Sequence, residues 1–230
     1  MTYNSRDEAI KAVIRNARKE IGYKASSGKE NKFGHYLDGI PGYYNGKKTS
    51  KGWGADWCDI FVDAIFLQTF GNPTGREMLY QPTKSLGAGC PYSANYFIKY
   101  GAWSTTPHVG DQGFLGKRGD EYHTGIVVKV SGKEVTLIEG NAGGGNGAVM
   151  ERVWNKSEFS GFGTPDYEMV VKEGPITPEQ SIDAITEELN LLAKGVIAGK
   201  YGSGSDRVKK LGIWYTPVQW IINKHLGYIK

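Results

Sequence analysis

The sequence is poor in cysteine and in charge. It has only two cysteines, Cys58 and Cys90, in 230 residues, and 23% of its residues are charged. Two cysteines cannot build the disulfide framework that stabilises many small secreted domains. The net charge of +4 is too small to indicate nucleic acid as a partner, and no basic run alternates with aromatic residues as single-strand binding requires.

Long apolar runs are also missing. No stretch approaches the roughly 18 apolar residues of a membrane span, and residues 1–22 lack the apolar core of a secretory signal. We therefore expect a protein that is made in the cytosol and does not bind membranes. If it acts outside the cell, another factor must release it.

What the chain does contain is typical of a globular protein. It is 39% hydrophobic and 12% aromatic, and it has 33 glycines, which favours a loop-rich body with a sheet. Ser5 and Glu8 are spaced as a capping box before a helical pattern that stops at Gly22. A second helix is predicted over 57–70, and residues 24–56, which show no periodicity, are interpreted as a long loop.

The centre of the chain changes to a strand pattern. Residues 123–130 and 134–141 alternate apolar and polar side chains around Ser131-Gly132-Lys133, which predicts a hairpin. Residues 110–116 and 147–154 are predicted to be flanking strands. Helices followed by antiparallel strands indicate an α+β fold in which the N-terminal helices pack on an antiparallel sheet.

A second, smaller unit is predicted after a break rich in glycine and proline. We expect a catalytic domain over 1–170, a linker over 171–179, and a three-helix module over 180–230. The apolar spacing of the tail is typical of three short helices. A core of that size is near the lower limit for independent folding.

The candidate catalytic residues come from both halves of the first domain. A helix N-terminus lowers the pKa of a thiol, and Cys58 lies at the predicted start of the second helix. His123 opens one strand of the hairpin, and Glu139 and Asn141 lie at the end of the other, so either can approach the imidazole. We expect His123 rather than His108 to be the base, and Glu139 rather than Asn141 to orient it.

Other interpretations of the two cysteines remain open at this point. Cys58 and Cys90 could form a disulfide, or Cys58 could be a small core residue. Cys90 is interpreted as structural. Trp53 is a candidate wall of the substrate cleft, although tryptophans near a helix start usually fill the core.

Four motifs occur in an order that resembles the CHAP family, the cysteine/histidine-dependent amidohydrolases and peptidases. The resemblance runs from about Ile10 to Tyr167. Its motifs are "WCDIFVD", "HTGIVVKV", "IEGN" and "GFGTPDY", and "GAGCPYSANYF" resembles a firmicute subgroup of the family. It implies a papain-like, NlpC/P60-like fold and peptidoglycan as the partner, as in bacteriophage endolysins. It also implies that Cys58 is the nucleophile, His123 the base, and Glu139 or Asn141 the residue that orients the base.

The resemblance also raises the question of a metal. Several CHAP domains of phages hold calcium in an Asp-x-Asp loop before the cysteine, but this chain has no such pair there. Asp56, Asp59 and Asp63 remain candidate ligands, and charge on a helix surface is the favoured interpretation. We therefore expect no cofactor to be required, and calcium is not favoured.

The tail resembles the CW-seven cell-wall-binding repeat in one copy over roughly 186–226. The matching features are "VIAGK", "YGSG" and "VQWIIN". The resemblance implies binding to the muropeptide. An arginine such as Arg207 can hold a carboxylate through two hydrogen bonds, and Tyr201 can stack on a sugar, although the turn that carries them could be only structural.

Together these features predict a peptidoglycan hydrolase of the endolysin type. We expect an N-acetylmuramoyl-L-alanine amidase that a holin releases from the host cytoplasm, or a virion-associated enzyme. An endopeptidase that cuts the stem or cross-bridge, and a wall-binding protein without catalysis, are the alternatives. The sequence does not fix the oligomeric state. A translation start at Met169 would yield free tail modules that could associate with the full chain.

Overall fold

A computed structural model describes residues 2–40, 56–82, 89–172, 178–226 and 228. At residues 178–185, 213 and 225 only the backbone is described. Contacts between Cα atoms divide the chain into two compact units, Met1–Lys172 and Glu173–Lys230.

The first unit begins with helices and continues with strands. Its α-helices are α1 (Arg6–Lys19), α2 (Lys32–Asp38), α3 (Cys58–Phe70), α4 (Thr74–Met78) and α5 (Cys90–Lys99), and its 3-10 helices are Ser27–Lys29, Lys156–Glu158 and Tyr167–Val170. Its strands are β1 (Trp103–Ser104), β2 (Gln112–Lys117), β3 (Asp120–Ser131), β4 (Glu134–Ala142), β5 (Ala148–Asn155) and β6 (Phe159–Gly163).

The helix starts follow from local chemistry. Ser5 caps α1 by accepting a hydrogen bond from the backbone N–H of Glu8, as the capping-box spacing predicts. The carboxylate of Glu8 accepts from the backbone N–H of Asn4 rather than from that of Ser5. The α3 helix ends at Phe70, where Gly71 adopts a positive φ that suits the end of a helix.

The prediction of one continuous loop over 24–56 is wrong for its described part. The α2 helix lies inside it, capped by the side chain of Asn31, which accepts from the backbone N–H of Gly34. Its buried side chains, Phe33 and Leu37, are spaced four residues apart, and one such pair is too short a pattern to stand out among polar and glycine residues.

The six strands form one antiparallel sheet in the order β1-β6-β2-β3-β4-β5. The prediction of an α+β fold with an antiparallel sheet is confirmed. The hairpin of β3 and β4 is also present, with Ser131 opposite Glu134 and a turn of Gly132 and Lys133. A register shift between Val127 and Lys129 leaves one extra residue in β3, which is the pattern of a β-bulge.

The core of the first unit lies between α3 and the sheet. Every residue of α3 except Gln68 is buried, because α1, α2 and α4 pack against it together with β3 and β4. A smaller apolar cluster covers the other face of the sheet, and its buried members are Leu115, Val127, Val135, Leu137 and Phe162. The sheet is therefore apolar on both faces, and α3 is an interior helix.

The second unit contains three α-helices, α6 (Pro178–Ile197), α7 (Gly204–Leu211) and α8 (Tyr215–His225), with a 3-10 turn at Gly212–Trp214. Its described core has a small number of buried apolar side chains, which are Ala193, Val196, Leu211, Val218 and Ile222. No helix in the described part of either unit is both long enough and apolar enough to span a membrane.

Candidate active site

Cys58 is the first residue of α3 and is 3% exposed. The N–H groups of a first helical turn have no acceptor within the helix, so the thiol lies at the positive end of the helix dipole. Trp57, which precedes it, is fully buried and donates from Nε1 to the carbonyl oxygen of Asn146 at 3.1 Å. This bond connects the helix start with the loop between β4 and β5.

The hairpin places His123 beside Glu139. Nε2 of His123, on β3, lies 3.0 Å from Oε2 of Glu139, on β4. At this distance the protonated imidazole and the carboxylate form an ion pair. Because Nε2 faces the carboxylate, Nδ1 is left for the thiol of Cys58, with which the imidazole interacts.

The pKa values of the pair are displaced in opposite directions. The hydrogen bond between Cys58 and Cys90, together with the nearby His123, lowers the pKa of Cys58 to about 5, against the effect of burial. Burial alone would lower the pKa of His123, but the interactions with Cys58 and Glu139 raise it to about 9. At neutral pH the pair is therefore a thiolate and an imidazolium.

Glu139 is fully buried and has further partners besides His123. Nε1 of Trp154 donates to its Oε2 at 3.1 Å, and the guanidinium of Arg152 lies 3.2 Å from its Oε1. The guanidinium also lies over the ring of Trp154, 4.3 Å from its centroid. These contacts from β5 compensate the burial of the carboxylate and fix its position.

Asn141, the other residue predicted to orient the base, has a different described partner. Its Nδ2 donates to Oδ1 of Asp56 at 2.9 Å, and Asp56 also pairs with Lys29. The hydrogen bonds from Lys29 and Asn141 lower the pKa of Asp56. The structure thus brings Cys58, His123 and Glu139 together and turns Asn141 towards the residue two positions before the cysteine.

His108, the competing base, is 62% exposed in its side chain. Its Nδ1 lies 3.4 Å from Oδ2 of Asp111. The described contacts of His108 therefore lie within its own turn.

Cys90 also lies at the site, whereas the sequence indicated only a structural role or a disulfide for it. It is the first residue of α5, 6% exposed, and its Sγ lies 3.6 Å from Sγ of Cys58. Both cysteines are free thiols. Cys58 and Cys90 are the two cysteines of the chain. The rarity of this residue type is the sequence feature that could have indicated their contact.

Asp59 and Asp63 do not carry the surface charge that was expected of them. They are 2% and 0% exposed, because α3 is covered on all sides. Asp59 accepts from Oγ of Ser93 and Nε2 of Gln112, and burial raises its pKa to about 6. Nε2 of Gln81 donates to Asp63 at 2.6 Å.

No group of three or more His, Cys, Asp or Glu side chains suitable for a metal ion occurs in the described parts of the chain. Asp56, Asp59 and Asp63 are instead engaged with the side chains named above. The segment 41–55, which corresponds to most of the loop that holds calcium in several CHAP domains of phages, lies outside the described residues, and so does Trp53. The predictions for calcium and for Trp53 therefore stay predictions.

The two predicted binding residues of the tail take part in its own packing. Nε and Nη2 of Arg207 donate to the carbonyl oxygen of Gly202, at 3.1 and 2.9 Å. The ring of Tyr201 lies so close to Gly195 that a Cβ there would come within 2.7 Å of it. Both residues therefore stabilise the turn between α6 and α7.

Comparison with known protein families finds a match in the tail. Residues 190–226 match the model of the CW_7 repeat, so the predicted repeat is confirmed over those residues. No curated protein matches the chain in sequence.

Two solved structures are similar to part of the chain. The crystal structure of Ly7917 matches with a TM-score of 0.38 and 14% identity over 69% of this chain, and the match spans 62% of the length of Ly7917. The NlpC/p60 domain of the peptidoglycan hydrolase SagA matches with a TM-score of 0.33 and 18% identity, over 67% of this chain and 97% of that domain. Both TM-scores are too low to assign a fold or an activity.

Proposed function

We propose that the protein hydrolyses an amide bond of bacterial peptidoglycan with Cys58 as nucleophile. The observation that carries the proposal is the buried arrangement of Cys58, His123 and Glu139. In it the imidazolium lies between the thiolate and the carboxylate and interacts with both. The match of residues 190–226 to a repeat associated with cell walls supports peptidoglycan as the substrate.

In the proposed reaction Cys58 is the nucleophile, and His123 acts first as an acid and then as a base. The thiolate of Cys58 attacks the amide carbon, and the tetrahedral oxyanion accepts hydrogen bonds from backbone N–H groups at the start of α3. The imidazolium of His123 gives its proton to the leaving amine, which leaves a thioester. The neutral imidazole then removes a proton from water, which hydrolyses the thioester and restores the thiolate.

Glu139 supports both steps without reacting. Its negative charge, held by Trp154 and Arg152, stabilises the imidazolium and fixes the ring with Nδ1 available to the thiol. This is the role of the carboxylate in a nucleophile–base–carboxylate triad.

The tail module is proposed to hold the enzyme on its insoluble substrate. Tethering raises the effective concentration of scissile bonds near the site, by about 10²-fold or more when the geometry allows both contacts. A phage endolysin that a holin releases to the wall would use such a module in this way.

The test is clearing of purified Gram-positive cell walls, followed as loss of turbidity. The parent protein should clear walls, while Cys58→Ala should not, and His123→Ala should be slower by about 10²- to 10⁴-fold. His108→Ala is the matched control, because His108 is exposed and contacts Asp111, and it should clear walls at the parent rate.

Clearing by Cys58→Ala at the parent rate would refute the catalytic proposal. If no protein clears the walls but all of them sediment with the walls, the chain is a wall-binding protein without catalysis. Repeating the parent reaction with a chelator tests whether calcium is needed, and we expect the same rate.

The bond that we propose is the one between the lactyl group of N-acetylmuramic acid and L-alanine. Mass spectrometry of the digest identifies it, since an amidase leaves glycan strands without peptide and creates new alanine N-termini. New termini within the stem or cross-bridge would instead identify an endopeptidase.

A further inference from the structure

The thiols of Cys58 and Cys90 are in contact although they are 32 residues apart in the chain. Their sulfur atoms lie 3.6 Å apart, within the range of a hydrogen bond between a thiol and a thiolate, and both residues are buried. The mechanism above gives Cys90 no role. Its position against the reacting atom therefore calls for an explanation.

The position of Cys90 is fixed by the residue that follows the nucleophile. Oδ2 of Asp59 accepts hydrogen bonds from the backbone N–H of Gly89 and from Oγ of Ser93, at 2.5 and 2.7 Å. These two donors lie on either side of Cys90 in the chain. The carboxylate of Asp59 thus holds the first turn of α5 against the first turn of α3, with the two thiols between them.

Gln112 reinforces this arrangement from the sheet. Its Nε2 donates to Oδ1 of Asp59 at 2.8 Å and lies 3.1 Å from Oγ1 of Thr124, the residue after His123. The helix that carries the nucleophile, the helix that carries Cys90, and the strand that carries the base are therefore linked through one buried carboxylate.

We propose that Cys90 is a further catalytic residue whose thiol donates a hydrogen bond to the thiolate of Cys58. This inference rests on the proposed function, because it assigns a partner to the same nucleophile. Cys90 stays protonated throughout, so no bond other than the hydrogen bond forms or breaks. The donor stabilises the charged form of the nucleophile inside a site that excludes water.

The assignment of donor and acceptor follows from the surroundings. Besides Cys90, Cys58 has a charged partner, His123, which favours the thiolate there. The negative charge of Cys58 and of Asp59, together with burial, raises the pKa of Cys90 far above its ordinary value. One proton shared by two touching thiols is therefore held by Cys90.

The test is an ultraviolet titration of the thiolate in the full-length protein with a phosphine reductant present. The matching protein that also carries Cys58→Ala is the blank for each titration, so that the difference reports Cys58. Three substitutions of Cys90 are compared with the parent. Cys90→Ala removes the donor, Cys90→Val removes it while filling its space, and Cys90→Ser replaces it with a hydroxyl donor.

The parent should titrate well below the ordinary cysteine range. The midpoint should rise by about one pH unit or more in Cys90→Ala and Cys90→Val, which corresponds to the loss of one hydrogen bond to a charged group. Cys90→Ser should titrate at or below the parent midpoint. Circular dichroism establishes that each variant is folded.

Three results would overturn the proposal. One is a parent midpoint in the ordinary cysteine range, a result that does not depend on any Cys90 variant being folded. Another is an unchanged midpoint in Cys90→Ala or Cys90→Val, and the third is an equal rise in Cys90→Ser, which would mean that Cys90 acts through packing.

The titration separates this inference from the proposed function, since it needs no substrate. If the parent leaves walls intact but its Cys58 midpoint depends on the donor at position 90, the proposed hydrolase activity is refuted. The proposed hydrogen bond between the two thiols then stands. If the parent clears walls but its Cys58 midpoint does not change with the residue at position 90, the hydrolase proposal stands and the proposed role of Cys90 is refuted.

Discussion

The protons of single residues decide what the site can do at a given pH. Between about pH 5 and about pH 9, Cys58 is a thiolate and His123 an imidazolium. Each stabilises the charge of the other, so neither pKa belongs to one residue alone. The nucleophile is therefore charged before the substrate arrives.

The rate of wall clearing should consequently show a bell-shaped dependence on pH. Below about pH 5 the thiolate gains a proton and loses its nucleophilicity, and above about pH 9 the imidazolium loses the proton that the leaving amine needs. Initial rates on a soluble muropeptide, measured across this range, check the prediction. Activity that begins to rise only near pH 8 would show that the thiol is not activated.

Glu139 and Asn141, two residues apart, should differ in importance. Glu139→Gln keeps the shape of the side chain but removes the charge that faces Nε2 of His123, so we expect kcat/KM to fall by about 10²-fold or more. Asn141→Ala removes a hydrogen bond to Asp56 that does not involve His123, and it should change kcat/KM little. A larger loss in Asn141→Ala would assign the orienting role to the amide.

Single elements are positioned by close packing, and one tight contact near the site lies between α3 and β4. A Cβ at Gly140 would come within 2.5 Å of Cβ of Phe61 and within 2.7 Å of the ring of Trp57. Gly140 follows Glu139, while Phe61 and Trp57 flank Cys58. This contact therefore sets the distance between the strand of the carboxylate and the helix of the nucleophile.

Gly140→Ala should consequently affect activity as well as stability. We expect the free energy of unfolding to fall by about 1–3 kcal/mol. We also expect kcat to fall, because the new methyl group forces β4 away from α3. Denaturant unfolding and kcat on a soluble muropeptide are the measurements.

Gly132→Ala is the matched control for that variant. Gly132 lies in the turn between β3 and β4 with a φ of +61°, and a Cβ there would meet no atom within 4 Å. Gly132→Ala should lower the free energy of unfolding by about 1–2 kcal/mol through backbone strain alone, so kcat should be unchanged. Equal losses of kcat in both variants would mean that stability, not the spacing of α3 and β4, limits activity.

At the scale of the whole molecule, the chain has two compact units with separate cores. The first contains the proposed catalytic residues, and the second contains the matched repeat. A chain that ends at residue 172 should keep its kcat on a soluble muropeptide. It should no longer sediment with walls, and it should clear them about 10²-fold more slowly than the full chain does.

The control for this truncation is the full chain with Cys58→Ala, which should sediment with walls without clearing them. If the shortened chain still sediments as the full chain does, the first unit binds walls by itself. In that case the proposed role of the tail would be wrong.

The sequence alone determined the features that depend on neighbours along the chain. Ser5 and Glu8 predict the start of α1, and alternation predicts β3 and β4 with their turn at Gly132. Because a hairpin joins strands that are adjacent in sequence, the pairing of His123 with Glu139 was also predictable, and the tail repeat was recognisable from its motif. These features rest on local spacing and turn chemistry.

Only the tertiary structure decided the features that depend on distant segments. Cys90 touches Cys58 because Asp59 holds the start of α5 against that of α3, and no periodicity in either helix encodes that contact. Asp59 and Asp63 look like surface charge in the sequence, yet they are buried because α3 is enclosed by other helices and the sheet. Local patterns report which face of an element is apolar, whereas the partner that covers it is chosen only when the whole chain packs.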